Sequence, residues 1–325
     1  MKIGLTFDLK NEYIRQGFSL EEAAEFDSEE TVEGIEKALV QLGYKTDRIG
    51  NFKQLVQRIN HGDRWDLVFN IAEGIYGFGR EAQVPALLDA YRIPYVFSDP
   101  LVLSLTLHKG MTKRIIRDNH IPTADFVIVS HIRDVENVHL DYPLFAKPVA
   151  EGTGKGITKK SLTETPDELR VVCKQLLKRF NQSVLVEEYL PGREFTVGIV
   201  GTGEEARVIG VIEIILNQKA EKSGYSYLNK AHYQDRVEYV LVEEEMEKIC
   251  SEIALKAWQA LECRDGGRVD LRCDKNNNPK FMEINPLAGL NYLDSDLPII
   301  AYKNGYTFAD LIRIIMESAL RRVQK

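Results

Sequence analysis

Two carboxylates lie in a stretch that otherwise alternates like a β-hairpin. The segment VDLRCDKNNNPKFMEINP spans residues 269–286 and combines two alternating runs with a turn-prone asparagine cluster. A turn centred between Asn276 and Asn277 places Asp270 directly opposite Glu283 on one face of the hairpin. Like charges placed so repel, at a cost on the order of 4 kcal/mol for a separation of ~4 Å and an effective dielectric constant of ~20. A positive partner is therefore expected between them.

Two kinds of positive partner fit this face of the hairpin. One is a neighbouring cationic side chain, from Arg268, Arg272 or Lys280. The other is Mg²⁺, which binds carboxylate and amide oxygens together with the phosphate oxygens of a nucleotide. The same register puts Asn285 opposite Arg268 on this face. The other face is expected to pack into a core through its hydrophobic residues, Val269, Leu271, Met282 and Ile284. The hairpin alone leaves both partners open.

Composition limits the classes of protein that this chain can represent. Its 325 residues, 44% hydrophobic and 28% charged, are ordinary for a soluble globular protein of two or three domains. The net charge of -7 argues against a nucleic-acid partner, and no apolar run reaches the ~20 residues that span a membrane. The N-terminal MKIGLTFDLK lacks the apolar stretch of a signal peptide. With four cysteines and no CxxC pair, a cytoplasmic protein with reduced thiols is expected.

Strand and helix patterns predict three regions. Residues 1–100 alternate the strands KIGLTF, YKTDRI, DLVFNI and YVFS with helical patterns, which indicates parallel βαβ units in a doubly wound sheet. Residues 101–182 combine one helix, LSLTLHKGMTKRIIRDN, with strands that include PLFAKP and GITKK. Residues 183–325 are rich in strands and carry helices near 243–260 and 308–322. We therefore expect an α/β region followed by two mixed α+β lobes.

A glycine-rich segment, EGTGKGIT, lies between two predicted strands of the middle region. It lacks the GxxxxGK[ST] pattern of a P-loop, since Gly156 follows Lys155. Its three glycines suit a hairpin whose backbone N–H groups close over phosphates, although an ordinary mobile turn fits them too. Lys147 ends the apolar strand PLFAKP and favours the phosphate interpretation, because a buried lysine needs an anionic partner.

Carboxylates also flank a turn in the segment VLVEEYLPGREFTVGIV, residues 184–200. Glu187 and Glu188 end one strand, and Glu194 begins the next. These acids can accept hydrogen bonds from an adenine amine and from ribose hydroxyls, while the backbone near Leu190 contacts the base edge. A solvated turn fits the same residues, so this stretch alone leaves both interpretations open.

Taken in order, these motifs resemble the ATP-grasp superfamily and, within it, the D-alanine–D-alanine ligase family. The shared residues run from about residue 66 to the C-terminus: HK at Lys109, AKP at Lys147, EGTGKG, EEYLPGREFTV, Lys230, GRVDLR and MEINPLAGL. The resemblance implies an ATP-grasp fold in which two α+β lobes clamp ATP. It implies a ligase that activates a carboxylate as an acyl phosphate for attack by an amine. It also implies two Mg²⁺ ions, with Mn²⁺ as an alternative, and a homodimer.

The resemblance assigns a role to each matching position. The residues expected to contact the ATP phosphates are Lys109, Lys147, Glu151, Gly152, Thr153 and Gly154. Those expected at the adenine and ribose are Glu187, Glu188, Leu190 and Glu194. The expected metal ligands are Asp270, Glu283 and Asn285. Lys230 would contact the transferred phosphoryl group, while Arg268 and the backbone N–H of Gly289 would stabilise an oxyanion.

The residues expected to bind the two substrates depart from the family. Where the family has a glycine-rich turn with an ammonium-binding glutamate, this chain has FDLKNEYIRQGFSLEEAAEFD, with Glu21 or Glu22 as the counterpart. Glu73 stands where the family has a histidine. The loop LNYLDSDLP is one residue longer and acidic, through Asp294, Ser295 and Asp296. We expect Glu73 to contact an ammonium group, and the loop acids to disfavour a second-substrate carboxylate or to favour an amine.

Three functions follow from these residues. The first is a carboxylate–amine ligase of the D-alanine–D-alanine type, whose own substrate is D-alanine or another amino acid. The second keeps the enzyme class but joins another amino acid or amine, as in specialised metabolism. The third is a nucleotide-binding protein without catalysis, which the presence of the phosphate, metal and oxyanion residues disfavours.

Overall fold

A computed structural model describes residues 1–216 and 237–323. The N-terminal elements are β1 (Lys2–Thr6), α1 (Lys10–Arg15), α2 (Glu29–Gln41), β2 (Lys45–Gly50), α3 (Phe52–Asn60), β3 (Leu67–Asn70) and α4 (Gln83–Ala90). The strands form a parallel sheet with the order β2-β1-β3. Side chains alternate across it: Leu67 and Phe69 pack on the α2 side, and Val68 packs among residues of α3 and α4. Helices therefore cover both faces, as predicted for a doubly wound sheet.

The middle region forms an antiparallel sheet with the order β4-β7-β5-β6. Its elements are α5 (Pro100–Leu107), α6 (Lys109–Asp118), β4 (Phe126–Val129), β5 (Leu144–Pro148), β6 (Leu162–Thr163), α7 (Pro166–Phe180) and β7 (Val184–Glu188). One helix was predicted over the segment that forms α5 and α6. The helix breaks at His108, because the next N–H, that of Lys109, donates to the carbonyl of Val149 at 2.9 Å.

Two predicted strands are wrong. The segment GITKK forms turns and a short 3-10 helix over Lys159–Ser161, and the next strand begins only at Leu162. The segment YVFS meets β3 through a single bridge between Tyr95 and Val68, without extending into a strand. The apolar residues of YVFS serve core packing instead, since Tyr95, Val96 and Phe97 are buried.

The C-terminal region contributes a five-stranded antiparallel sheet with the order β10-β9-β8-β11-β12. Its elements are β8 (Glu194–Val200), β9 (Arg207–Leu216), β10 (Val237–Leu241), α8 (Glu244–Ala260), β11 (Gly266–Cys273), β12 (Pro279–Asn285), α9 (Asp296–Lys303) and α10 (Phe308–Val323). Helix α8 covers one face with the fully buried Trp258. On the other side, α10 packs Leu311 and Ile315 into the same core as Ile35 and Leu39 of α2. The first and last regions thus share a core. Within the described residues, no helix is long and apolar enough to cross a membrane.

The hairpin of β11 and β12 has the predicted register at its open end. Asp270 faces Glu283, and the register then shifts so that Leu271 faces Phe281. Met282 is the extra residue of a β-bulge, and it lines the same cavity as Glu283. The prediction that Met282 packs in the core was wrong, because the bulge resets the alternation and Phe281 takes the buried position.

Candidate active site

A first cavity, of about 860 Å³ with its mouth included, lies between the middle sheet and the C-terminal sheet. Its lining includes every residue predicted to bind the nucleotide: Lys109, Lys147, Glu151, Gly152, Thr153, Gly154, Glu187, Glu188, Leu190 and Glu194. Two predicted metal ligands, Asp270 and Glu283, also line it. The rings of Phe145 and Tyr189 stack at a centroid distance of 6.3 Å and line the same space. The cavity therefore combines cations for phosphates with flat surfaces for a base.

A buried ion cluster fixes the lysine of β5. Glu187 accepts from Lys147 at 2.8 Å and from Lys113 at 2.6 Å, and all three side chains are almost fully buried. Burial alone would raise the pKa of Glu187, but the two lysines outweigh it and hold this pKa at about 2. Glu187, which was predicted to bind the adenine or the ribose, thus already pairs with two ammonium groups of the protein. Lys113 was missed from the sequence, although it follows Lys109 by one helical turn.

Lys109 connects the glycine-rich loop with the hairpin. Its Nζ donates to the carbonyl of Glu151 at 2.6 Å and lies 3.5 Å from Glu283. The break between α5 and α6 makes Lys109 the first residue of α6. One cation therefore lies where the loop, the hairpin and the first cavity meet.

The glycine-rich loop is bound to the N-terminal region by a group of contacts that we call the Glu25 latch. Glu25 accepts from the N–H of Gly152 at 2.6 Å, and it pairs with Lys155 at 3.1 Å and with Arg80 at 3.0 Å. A Cβ at position 152 would lie 2.5 Å from a Glu25 oxygen, so the close approach requires glycine. Burial would raise the pKa of Glu25, but Arg80 and Lys155 lower it. The carboxylate is thus held ionised.

The sequence did not single out Glu25 or Arg80, because their partners are far away along the chain. Glu21, the predicted ammonium ligand, instead forms an ion pair with Arg179 of α7 and lines neither cavity described here. Glu22 is exposed and accepts hydrogen bonds from Ser19.

Replacing Lys155 by methionine is expected to weaken the Glu25 latch and to loosen the loop over the first cavity. A loss of about 1.4 kcal/mol lowers the closed-to-open ratio about tenfold. A loop that opens more often admits water, so the ADP released per molecule of product should rise. Parallel assays of ADP and product measure this ratio. Lys160→Met, which removes an exposed lysine from the same segment, is the matched control. An unchanged ratio in Lys155→Met would show that the latch does not govern closure.

A second cavity, of about 700 Å³, adjoins the first and shares Lys109, Gly152, Thr153 and Glu283 with it. Its lining contains the predicted oxyanion residues Arg268 and Gly289 and the predicted ligand Asn285. It also contains three carboxylates, those of Glu25, Glu73 and Glu81. The predicted phosphate, oxyanion and ammonium residues thus line two adjoining spaces.

The acids of the second cavity have shifted pKa values. Burial, with smaller contributions from Glu81 and Glu25, raises the pKa of Glu73 well above its usual value. Burial also raises the pKa of Glu81 to about 7, although Arg80 opposes this shift. Arg80 favours the charged form of both acids and Lys109 favours that of Glu81, but the loss of solvation outweighs these cations.

The predicted metal face carries cations from the protein. Arg268 forms an ion pair with Asp270, and its Nε lies 3.6 Å from Asp296. Burial would lower the pKa of Arg268, but Asp270 and Asp296 raise it. Asp270 thus contacts the guanidinium of Arg268, which is one of the two kinds of positive partner considered for the hairpin.

The residues of this face also fit a divalent cation. Asn285 lies on the same hairpin face as Asp270 and Glu283 and lines the second cavity, so its amide oxygen can complete a set of oxygen ligands. Two carboxylates and one amide are the oxygen ligands that Mg²⁺ takes, with phosphates completing its shell. No cluster of three or more His, Cys, Asp or Glu suited to a metal occurs in the described parts of the chain. A metal here would therefore depend on the amide and on a bound nucleotide.

The acidic C-terminal loop lies beside these residues. Asp296 begins α9 and accepts from Tyr239 at 3.3 Å as well as facing Arg268. Ser295 accepts from the N–H of Asn291 at 3.0 Å, and its Oγ would lie 2.9 Å from a Cβ at Gly289. Asp294, Ser295 and Asp296 are not among the residues lining the two cavities. Lys230 lies outside the described residues.

Comparisons with known proteins agree with this geometry. The family model for the D-ala D-ala ligase C-terminus matches residues 115–317. The chain is 31% identical over 290 residues to the D-alanine–D-alanine ligase of Thermotoga petrophila, covering 88% of this chain and 90% of that protein. It is 33% identical over 288 residues to the corresponding ligase of Aquifex aeolicus, covering 88% and 93%.

The crystal structure of the D-alanine–D-alanine ligase from Bacillus anthracis complexed with ATP has the same fold. Its TM-score to this chain is 0.75, with 22% identity, over 100% of this chain and 99% of that one. The predicted ATP-grasp fold is thereby confirmed. The chain belongs to the D-alanine–D-alanine ligase family and is an ATP-dependent ligase that forms carbon–nitrogen bonds.

Proposed function

We propose that the enzyme joins the carboxylate of one amino acid to the amine of a second amino acid or small amine. The supporting observation is the adjacency of the two cavities, which share Lys109 and Glu283. The first offers lysines and loop N–H groups to a triphosphate. The second offers Arg268, the Gly289 N–H and carboxylates to a substrate with an acid at one end and an amine at the other.

The reaction divides between the two cavities. A carboxylate oxygen of the first substrate attacks the terminal phosphorus of ATP, and ADP departs, which gives an acyl phosphate. The amine of the second substrate then attacks the acyl carbon, loses a proton and expels phosphate. Lys109 and Lys147 place positive charges next to the phosphates. Phosphoryl transfer depends mainly on such positioning and on electrostatic stabilisation. Arg268 and the Gly289 N–H stabilise the tetrahedral oxyanion, a contribution typically of about 3 kcal/mol per donor.

The glycine-rich loop protects the acyl phosphate. Because the Glu25 latch holds Gly152 and Lys155, the loop covers the boundary of the two cavities and excludes water. Asp270, Glu283 and Asn285 would hold Mg²⁺, for which we propose two ions, with Mn²⁺ as an alternative. When bound, the metal neutralises phosphate oxygens. The contact of Lys230 with the transferred phosphoryl group stays a prediction.

Two further proposals concern the cellular compartment and the oligomeric state. All four cysteines are buried free thiols, which fits a cytoplasmic, reducing compartment. A homodimer is proposed from the family resemblance alone.

Whether the substrate is D-alanine or another amino acid or amine depends on Glu73 and on the acidic loop, which differ from the family pattern.

An ADP-release screen over pools of D-amino acids, L-amino acids and polyamines, with mass analysis of products, tests this function. Release with D-alanine alone supports a D-alanine–D-alanine ligase, and release with other pools supports the alternative substrate. Tight ATP binding without release in any pool would contradict the ligase proposal.

Glu73→His, which restores the family residue, is expected to weaken selection for substrates with an additional amine. The imidazole removes a carboxylate that lines the second cavity, so the KM for such substrates should rise more than kcat falls. Asp294→Ser should shift selection less, since this aspartate is exposed. Steady-state assays with one amino acid varied at saturating ATP measure both effects. Unchanged selectivity in both variants would mean that neither acid contacts the substrate.

A further inference from the structure

Besides Glu283, three carboxylates line the second cavity, and they differ in the cations around them. Glu25 is paired with both Arg80 and Lys155, and its side chain is only 8% exposed. Arg80 already has two partners, since it pairs with Glu25 and also donates to the carbonyl of Ala150 at 3.0 Å. The charge of Glu25 is therefore balanced within the protein, and it is not available to a substrate.

Glu73 and Glu81 differ from Glu25 in their hydrogen-bond and ion-pair partners. Across the described residues, neither carboxylate forms an ion pair within 4.0 Å or a side-chain hydrogen bond. The charges that act on Glu73 are those of Glu81, Glu25, Asp27 and Arg80, and those that act on Glu81 are Arg80, Glu25 and Lys109. Arg80 is already paired with Glu25, and Lys109 donates to the carbonyl of Glu151. Carboxylates held in a partly desolvated cavity without an ion-pair partner are costly unless they take up protons or bind a cationic ligand. The second cavity thus contains room and negative charge for a cation.

The remaining walls indicate the shape of that ligand. Leu107, Leu287 and Ala288 line the second cavity together with these acids and with Lys109 and Arg268. An aliphatic stem packs on such walls while its charged end reaches polar groups. A single α-ammonium balances one of the two acids, and a ligand with a second cationic group balances both.

We propose that Glu73 and Glu81 together select a dibasic amino acid, whose side-chain ammonium they bind, as the substrate of the second cavity. This proposal rests on the proposed ligase function and specifies the substrate class of the same site. Glu81, which the sequence did not single out, is the new specificity-determining residue. Amino acids with short apolar side chains, alanine among them, leave one carboxylate unbalanced and are the poorer substrates.

Ornithine and norvaline, each in D and L forms, are a matched pair of probes, because they differ by one terminal amine. With ATP and Mg²⁺ saturating, the wild-type enzyme is expected to prefer ornithine in kcat/KM by at least about 100-fold. Glu81→Gln should reduce this preference at least about tenfold, with most of the change in KM. Glu33→Gln, at a half-exposed position of α2, should leave it unchanged.

The outcomes separate this proposal from the ligase function. Activity with D-alanine or norvaline that equals activity with ornithine overturns the substrate class and leaves the ligase. If no probe releases ADP, calorimetry with a non-hydrolysable ATP analogue decides: tighter binding of ornithine, lost in Glu81→Gln, supports the proposal, and equal binding of the pair overturns it. A Glu81→Gln variant that changes only the Mg²⁺ needed for nucleotide binding assigns the acids to a metal and also overturns it.

Discussion

Asp270→Asn is expected to lower kcat/KM on the order of 1000-fold while the chain stays folded. Asp270 faces Glu283 across the hairpin, and its side chain is 11% exposed within the first cavity. The amide keeps the shape but removes the negative charge that both Arg268 and a divalent cation require. Calorimetric titration with ATP at a series of Mg²⁺ concentrations should show at least a tenfold smaller gain in affinity from the metal.

Glu238→Gln is the matched control, because it neutralises an exposed carboxylate on β10 of the same sheet. It should retain the wild-type activity and metal dependence. If Asp270→Asn keeps the full Mg²⁺ dependence of ATP affinity, the carboxylate serves only to hold Arg268. The guanidinium interpretation of the hairpin would then replace the metal interpretation.

The pairing of Asp270 with Glu283 was predicted correctly, although the turn itself was misplaced by half a residue. Next to the turn Cys273 faces Pro279 and Leu271 faces Phe281, so the turn is centred on Asn276 and not between Asn276 and Asn277. The extra residue of the bulge, Met282, then restores the predicted pairing of the two acids. The turn-prone asparagines and the side-chain alternation act within residues 269–286, but neither indicates a bulge.

Some polar residues of the first cavity were accessible to sequence reasoning because they lie at the end of an apolar run. Lys147 is the penultimate residue of the buried strand β5, and Glu194 is the first residue of β8. Lys109 was assigned to the site by the family resemblance alone. The Glu25 latch was not accessible in this way. Glu25 and Gly152 are 127 residues apart, and nothing in SLEEAAEFD distinguishes the acid that turns inward from those exposed to solvent.

The two cavities therefore differ in how the sequence encodes them. The first cavity is lined largely by residues at the ends of strands, and the apolar pattern of the sequence indicates where those strands end. The second depends on loops that follow β1 and β3, where Asp8 accepts from the N–H of Gly74 and thereby ties the two loops together. Substrate selection thus resides in long-range contacts between loops, which is why fold and nucleotide binding could be predicted in more detail than the substrate.

Glu187 is the residue whose loss is expected to cost the most stability. Its carboxylate lies between Lys113 and Lys147, whose side chains are 1% and 4% exposed. An uncharged residue removes the one carboxylate with which both buried ammonium groups form ion pairs. Breaking a buried pair in this way typically costs about 3 to 5 kcal/mol.

Glu187→Gln should accordingly lower the free energy of unfolding by about 3 to 5 kcal/mol at pH 7, measured by urea denaturation. The folded-state pKa of Glu187 is about 2 against a usual 4.5, so its contribution is complete above pH 4.5 and is lost as the pH falls toward 2. The difference between wild type and variant should therefore shrink across this window. Glu188→Gln, at the neighbouring and more exposed position, is the control and should change stability by less than about 1 kcal/mol. Equal losses in the two variants, or a difference that stays constant on acidification, would mean that the lysines do not depend on the Glu187 charge.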